Sequence, residues 1–193
     1  MEVVKLRKEN VEEVAEKAAA EILKGNLVIY PSDTIYGIAG NALDKEAVAK
    51  VRKAKQMSSS KPISVMFPSF KMLEEYVDIP AEQLQLMKEK GSHYTFIVWK
   101  KLKGPQTFTE QGSKIGIRIT PTPLTKRMIE KCGVPLTSTS ANITGHKGSE
   151  NVGEAVAEVG EHCALAIDGG ESKVKPSSVI DITEPETKVL RKG

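Results

Sequence analysis

Short apolar strand patterns alternate with amphipathic helix patterns along this chain of 193 residues, and that alternation limits the fold more than any other feature. Residues 10–25 carry apolar side chains at helical spacing between Asn10, a capping residue, and Gly25, a terminator. The apolar run LVIYP follows at once and predicts a strand that ends at Pro31. Alternation of this kind is typical of layered α/β folds with a mixed sheet.

The same pattern continues to the C-terminus. Helices are predicted in DKEAVAKVRKAK, where Asp44 is the N-cap, and in FKMLEEYV, PAEQLQLMKEKG, PLTKRMIEKCG and NVGEAVAEVG. Strands are predicted in ISVMF, TFIVW, IGIRIT, VPLTST, CALAID, SSVIDI and TKVLR. In IGIRIT, Ile115, Ile117 and Ile119 share one face and turn Arg118 to the other. Since no repeat or long linker interrupts the series, we expect one α/β domain over residues 1–193.

Composition narrows the classes of protein. The net charge of +3, from 28 basic and 25 acidic side chains, is too small to indicate nucleic-acid binding by itself. Cys132 and Cys163 have no CxxC partner, so we expect buried thiols rather than a zinc site or disulfides. No signal peptide or bilayer-length apolar run is present, which predicts a cytoplasmic protein without a membrane partner. P-loop, GxGxxG, HExxH and GxSxG motifs are also missing from the sequence.

The first of four polar features, YPSDTIYG at residues 30–37, follows directly on an apolar strand. Hydroxyls of Ser32, Thr34 and Tyr36 alternate with other residues there, at a strand end where α/β folds place ligand sites. The other interpretation is a Pro-initiated turn in which Asp33 bonds nearby backbone amides. Composition alone favours the turn.

The other three features are a loop, a basic segment and a single arginine. In TSTSANITG (residues 137–145), Ser140 and Asn142 indicate either a loop that approaches an anion or a helix N-cap. KAKQMSSSKP (residues 53–62) indicates either a phosphate-binding loop or a solvated charged surface. Arg118 is either a ligand contact or a surface arginine on a half-exposed strand. The residues alone therefore predict an α/β domain with loops suited to an anionic ligand.

Taken together, these motifs resemble those of the YrdC-like (TsaC) family, the threonylcarbamoyl-AMP synthases. YPSDTIYGI matches the family's Tyr/Phe-Pro-Thr-Asp-Thr-x-Tyr-Gly-Leu motif, and Ser140 with Asn142 matches its SxN signature. IGIRIT with Arg118 resembles the family's arginine strand, and DGG at 168–170, SSVID and VLRKG resemble its closing pattern. The resemblance covers nearly the whole chain. It implies an open twisted sheet with a basic concave cavity and, because the chain ends at Gly193, no added C-terminal domain.

The resemblance also implies an activity. Family members condense L-threonine, bicarbonate and ATP, with Mg²⁺, into threonylcarbamoyl-AMP and release pyrophosphate. Other proteins then transfer the threonylcarbamoyl group to an adenosine beside the anticodon of certain tRNAs. The implied partners are therefore these tRNA threonylcarbamoyl-transfer proteins, with tRNA or double-stranded RNA as a further ligand.

Site residues carry over from the family position by position. The resemblance assigns catalysis to Lys55, Ser140 and Asn142. It assigns ATP binding to the same three residues together with Lys61 and Arg191. It assigns threonine binding to Ser32, Thr34, Arg118 and Ser178, with Arg118 pairing the carboxylate in a bidentate fork. It assigns no residue to a metal.

Two motifs depart from the family pattern. In its Lys-x-Arg-Pro motif, Lys55 keeps the lysine but Met57 occupies the arginine position, so one charged phosphate contact is missing. Lys53 or Lys61 is a candidate replacement. The segment GSHYTFIV keeps only Thr95 of a Pro-Gly-Pro-Leu-Thr loop and resembles a YciO-like branch.

Two alternative functions follow from the same resemblance. Met57 and a basic cavity favour a noncatalytic nucleotide- or double-stranded-RNA-binding paralogue of the YrdC/YciO type. A carbamoyl-adenylate step like that of YrdC-like domains in hydrogenase maturation proteins is less favoured, because those domains belong to much longer chains.

Overall fold

Strands and helices alternate in the computed structural model, which describes residues 1–58, 61–101, 103 and 113–193. The strands of this described part are β1 (Glu2–Lys5), β2 (Val28–Tyr30), β3 (Gly37–Ala39), β4 (Ser64–Phe67), β5 (Tyr94–Trp99), β6 (Lys114–Ile119), β7 (Leu136–Ser140), β8 (Leu165–Asp168), β9 (Ser178–Asp181) and β10 (Lys188–Arg191). Its α-helices are α1 (Val11–Leu23), α2 (Lys45–Ala54), α3 (Phe70–Tyr76), α4 (Ala81–Lys90), α5 (Pro123–Cys132) and α6 (Val152–Val159). Each predicted helix and strand is present.

The strands form one open sheet in the order β1-β8-β2-β3-β7-β4-β6-β5-β9-β10. Neighbours β1–β8, β2–β8, β4–β6 and β5–β9 run parallel. Neighbours β2–β3, β3–β7, β4–β7, β5–β6 and β9–β10 run antiparallel. This order confirms the predicted α/β fold with an open mixed sheet.

Helices cover both faces of one half of the sheet, as the side-chain alternation of β2 illustrates. Val28 and Tyr30 point into a core cluster built with α1 and α5, whereas Ile29 between them points into a cluster built with α2 and α6. Successive residues of a strand face opposite sides, so a strand with helices on both sides is apolar throughout. The continuous apolar run that predicted this strand has that origin.

The other half of the sheet packs a third core cluster against α3 and α4. Ile115 and Ile117 of β6 are fully buried in it, as their shared face predicted. Arg118 lies on the opposite face of the same strand. The packing of these isoleucines fixes the strand, and the fixed strand in turn fixes the position of Arg118 on its other face.

Helix α2 shows how the sequence sets its two ends. Asp44 caps it by accepting a hydrogen bond from the backbone N–H of Glu46 at 2.8 Å, as predicted. At the other end Gln56 adopts a left-handed conformation (φ 46°). The N–H groups of Gln56 and Met57 donate to the carbonyls of Lys53 (3.0 Å) and Arg52 (2.9 Å), which is the Schellman arrangement. This sharp ending places Lys55 at the sheet.

Several other details differ from the predictions or agree with them. Strands β1 and β3 were not predicted, and the Asn10 side chain accepts from the N–H of Arg7 (2.7 Å) instead of capping α1. Cys132 and Cys163 are free and buried as expected, and burial raises the pKa of both thiols to about 12. No helix within the described residues is long and apolar enough to cross a bilayer.

Candidate active site

A cavity of about 400 Å³ lies where the ends of several central strands of the sheet meet their loops. Its walls come from chain segments that are far apart in sequence but adjacent in the strand order. They include Tyr30, Ser32, Thr34, Tyr36, Lys55, Met57, Ser64, Thr95, Arg118, Ser138, Ser140, Asn142, Thr144, His146, Ser177 and Arg191. Most of the predicted ligand contacts are therefore in one place.

The charge of the cavity is one-sided. Lys55, Arg118 and Arg191 line it, and no aspartate or glutamate stands among its described lining residues. Serines and threonines are the most numerous of the remaining polar lining residues. Cations and neutral hydrogen-bonding groups in a concave, partly buried site attract and orient an anion. The predicted basic cavity is confirmed in its composition.

Lys55 is the most buried of the three cations, with 4% of its surface exposed. Its Nζ donates to the backbone carbonyls of Ser140 and, at 2.8 Å, Asn142, which takes two of its three N–H donors. Burial lowers the pKa of Lys55 to about 8, and the nearby Glu158 carboxylate partly opposes that shift. One donor remains for a ligand in the cavity.

Asn142 presents a free acceptor. Its Nδ2 donates to the carbonyls of Ile143 (2.8 Å) and His146 (3.0 Å), and two carbonyl acceptors fix which way the amide points. The Oδ1 atom and Thr144 Oγ1 are then buried without a hydrogen-bond partner in the described residues. A buried unsatisfied polar atom costs roughly 1–3 kcal/mol, so a ligand that donates to these oxygens gains by satisfying them.

Arg118 is not the surface arginine of the alternative interpretation. It is 9% exposed, and its Nη2 donates to Asp33 Oδ1 at 2.7 Å. Its Nε is buried without a hydrogen-bond partner among the described residues. On the other face of the same strand, Ile115 and Ile117 are buried in the core, so the guanidinium is fixed at the cavity wall. An incoming carboxylate would satisfy its free donor.

Arg191 enters the cavity from the edge strand β10. Its Nη2 and Nε donate to the carbonyl of Ser177 at 2.7 and 3.2 Å. Ser177 Oγ in turn lies 3.1 Å from Thr95 Oγ1, the threonine kept from the family loop. Burial, and then the neighbouring charge of Arg118, lower the pKa of Arg191. Two arginines close enough to affect each other define an electropositive end of the cavity.

The YPSDTIYG segment is both a turn and a cavity wall. Ser32 Oγ accepts from the N–H of Thr34 (3.0 Å) and donates to the carbonyl of Ile35 (2.6 Å). The turn-forming side chain is therefore Ser32, not Asp33 as the turn interpretation expected. Tyr36 Oη bridges to the other end of the chain, donating to the carbonyl of Gly170 at 2.7 Å.

Two predicted binding residues are not brought to the cavity. Lys61 is exposed and lies outside its described lining, and the adjacent residues 59–60 lie outside the described part of the chain. Ser178 accepts from the N–H of Gly193 at 3.0 Å, while its neighbours Ser177 and Val179 line the cavity. Adjacent residues of an extended segment face opposite sides, so Ser177 rather than Ser178 is among the described lining residues. Met57 does line the cavity, with an uncharged thioether.

Several residues in or beside the cavity were missed by sequence reasoning, among them Asp33, Ser177, Tyr30 and His146. Asp33 was treated only as a turn former, although an acidic residue beside a lone strand arginine is a signal for an ion pair. Ser177 stood next to the serine that was chosen. Tyr30 and His146 line the cavity without a motif of their own that would have marked them. His146 is fixed by Glu158, whose Oε2 lies 2.9 Å from its Nδ1.

An α/β protein with a cationic, hydroxyl-rich cavity at its strand ends is the class defined so far. The sequence model of the Sua5/YciO/YrdC family, which carries the description "Telomere recombination", matches residues 20–193. This match spans most of the chain, and the chain therefore belongs to the Sua5/YciO/YrdC family.

Three relatives illustrate the range of that family. A Methanocaldococcus jannaschii protein provisionally named threonylcarbamoyl-AMP synthase is 33% identical over 194 residues, covering 100% of this chain and 92% of that protein. The threonylcarbamoyl-AMP synthase of Pyrococcus abyssi is 31% identical over 179 residues, or 91% of this chain and 53% of that protein. Uncharacterized YciO of Escherichia coli is 28% identical over 179 residues, or 91% and 87%.

Solved structures of two of these relatives superpose closely. P. abyssi Sua5 complexed with L-threonine has a TM-score of 0.87 at 28% identity and covers 98% of this chain. This chain spans 56% of that structure. E. coli YciO has a TM-score of 0.86 at 24% identity over 100% of this chain and 94% of its own, which shows the shared fold.

Proposed function

We propose that this protein is a threonylcarbamoyl-AMP synthase, a nucleotidyltransferase that joins L-threonine, bicarbonate and ATP. The observation that carries the proposal is the convergence of Lys55, Arg118 and Arg191 on one cavity whose described lining contains no carboxylate. ATP and bicarbonate are anions and L-threonine carries a carboxylate, so all three reactants suit such a site. The names of the relatives, and the L-threonine bound to P. abyssi Sua5, support the same choice.

The proposed chemistry needs positioning and charge more than a reactive side chain. Bicarbonate takes up a proton and loses water to give CO₂, and the neutral amine of threonine forms an N–C bond to that CO₂ and releases a proton, which leaves a carbamate. A carbamate oxygen attacks the α-phosphorus of ATP, the new P–O bond forms, and the bond to the β-phosphate oxygen breaks to release pyrophosphate. Fixed cations that stabilise the charge on the transferring and leaving groups suffice for such a transfer. The absence of a P-loop from the sequence is compatible with this.

The free donors and acceptors of the cavity divide between the reactants. The remaining N–H of Lys55 suits a phosphate oxygen, while Asn142 Oδ1 accepts hydrogen bonds only and suits a ribose hydroxyl or the adenine amino group. The Nε–H of Arg118 suits the threonine carboxylate. Ser32, Thr34 and Ser140 supply hydroxyls along the wall between them. Arg191 lies near Arg118 and adds positive charge at that end.

Mg²⁺ enters this proposal as part of the substrate Mg–ATP. Within the described residues no group of three or more His, Cys, Asp or Glu side chains could hold a metal ion. The triphosphate oxygens are the hard ligands that Mg²⁺ prefers, and the ion lowers the repulsion between the phosphates and the carbamate. The protein's own contribution remains the cations and hydroxyls named above.

The product would serve tRNA modification. Threonylcarbamoyl-AMP is an activated mixed anhydride, so we propose that separate transfer proteins take it up and modify an adenosine beside the anticodon. A cytoplasmic location and contact with tRNA belong to the same proposal.

Pyrophosphate release tests the function directly. The purified protein with Mg–ATP and bicarbonate should release pyrophosphate only when L-threonine is added, and mass spectrometry should detect threonylcarbamoyl-AMP. Lys55→Met should lower kcat/KM by about 10- to 100-fold, the value of a charge-assisted hydrogen bond. Lys61→Met, in the same loop but outside the cavity lining, should stay within about twofold of wild type. Release of pyrophosphate at the same rate with and without L-threonine would refute the proposal.

A further inference from the structure

The ion pair between Asp33 and Arg118 uses only part of what each side chain offers. Both side chains are nearly buried, 13% and 10% exposed, and a single contact of 2.7 Å joins Nη2 to Oδ1. Arg118 Nε and Asp33 Oδ2 are both buried without a hydrogen-bond partner in the described residues. Nδ1 of His93 is 3.9 Å from that oxygen, beyond hydrogen-bond distance.

A bidentate pair would have satisfied both groups, since arginine and carboxylate match in geometry. The one-point contact instead restrains the guanidinium at one nitrogen and leaves the neighbouring Nε–H without a partner. Arg118 lines the cavity, and its Nε–H has no partner among the described residues. Asp33 is not among the residues that line the cavity, so it contacts Arg118 from outside the described lining.

We propose that Asp33 is a positioning residue: it holds Nη2 of Arg118 so that the Nε edge stays turned toward the carboxylate of the amino-acid substrate. The identity of that substrate rests on the proposed function. Position and charge have opposite effects here, because the negative charge of Asp33 by itself weakens the attraction between Arg118 and a carboxylate.

Two substitutions separate position from charge. Asp33→Ala removes the contact, and we expect it to weaken L-threonine binding about tenfold while the affinity for ATP stays within about twofold. Asp33→Asn keeps an oxygen acceptor for Nη2 and removes the charge, so L-threonine should bind at least as tightly as to wild type. Calorimetric titrations with each ligand measure both constants.

Asp181→Asn is the matched control. Asp181 is 15% exposed, close to the 13% of Asp33, and accepts from Lys114 at 2.8 Å; neither Asp181 nor Lys114 lines the cavity in the described residues. Its removal should leave both affinities unchanged. If Asp33→Ala weakens both ligands alike and lowers the thermal midpoint far more than Asp181→Asn does, Asp33 is merely structural and the inference is overturned.

A second readout does not depend on any substrate. In the ¹⁵N-labelled free protein, the Nε–H resonance of Arg118, assigned by its loss in Arg118→Lys, should be sharp and slow to exchange with water. Asp33→Ala should broaden it or speed its exchange, and Asp33→Asn should largely restore it. An unchanged resonance in Asp33→Ala overturns the inference. If wild type binds no L-threonine, the proposed function fails and this resonance alone decides the role of Asp33.

Discussion

The Lys55 side chain has a fixed position, but its charge changes with pH. The end of α2 and two backbone carbonyls hold its amine in a site where burial lowers its pKa to about 8. A lysine at the surface stays charged at any physiological pH, but this one loses its proton at mildly alkaline pH. Its charge, and with it phosphate binding, then depends on pH within an accessible range.

We therefore predict that ATP binds more weakly as the pH rises. Only the charged amine attracts phosphate, and a group with a pKa of about 8 is mostly charged at pH 7 and mostly neutral at pH 9. The affinity should be almost constant from pH 6.5 to 7.5 and fall about tenfold by pH 9. Calorimetry should also detect proton uptake on binding above pH 8. In Lys55→Arg, which stays charged, a persisting pH dependence would contradict this assignment.

At the level of single helices and strands, local sequence signals predicted correctly those features that depend on residues of the same element. Asp44 caps α2 as predicted, and the face of β6 was predicted correctly because alternation within one strand decides it. Strands β1 and β3 were missed because they are short and exist through pairing with β8 and β7, which no local pattern encodes. That Ser177 rather than Ser178 is among the described lining residues has a similar cause, since strand register is set by tertiary contacts.

The candidate site shows the same difference between features set by local sequence and features set by tertiary contacts. Its motifs were found from the resemblance, whereas their relations were not: the contact of Arg118 with Asp33 joins residues 85 positions apart. The exclusion of Lys61 from the cavity lining also depends on how the chain turns after α2. That turn is itself encoded by the left-handed residue Gln56, which was not recognised because glycine is the usual residue there.

Gln56 gives a prediction at the level of this helix end. A residue with a Cβ pays roughly 1–2 kcal/mol for the left-handed conformation, and glycine does not. After subtracting the extra entropy that glycine gains in the unfolded chain, Gln56→Gly should raise the free energy of unfolding by about 0.5–1 kcal/mol. Urea denaturation measures it. The same change at Gln85, exposed in the interior of α4, should lower stability by about 1 kcal/mol. If Gln56→Gly also destabilises, the Schellman assignment is wrong.

For the whole molecule, the cavity joins segments from almost the full length of the chain. Tyr30 and Ser32 come from the first fifth of the chain, Ser140 and Asn142 from the end of β7 and the loop after it, and Arg191 from the last strand. The strand order brings them together because β2, β3 and β7 are neighbours, while β5 links β6 to β9. A ligand in the cavity therefore contacts both halves of the sheet at once and should stabilise both.

Hydrogen exchange with mass spectrometry tests that expectation. Binding of Mg–ATP and L-threonine should slow backbone exchange at residues 30–37, 137–148 and 176–179, which contain or adjoin the cavity wall, and in β10. Helix α4 (Ala81–Lys90) contributes no residue to the described lining and should keep its exchange rate, apart from a small decrease caused by global stabilisation. Protection confined to residues 137–148 would mean that the ligand bridges only one half of the sheet, and protection of α4 equal to that of β10 would mean that the cavity is not its binding site.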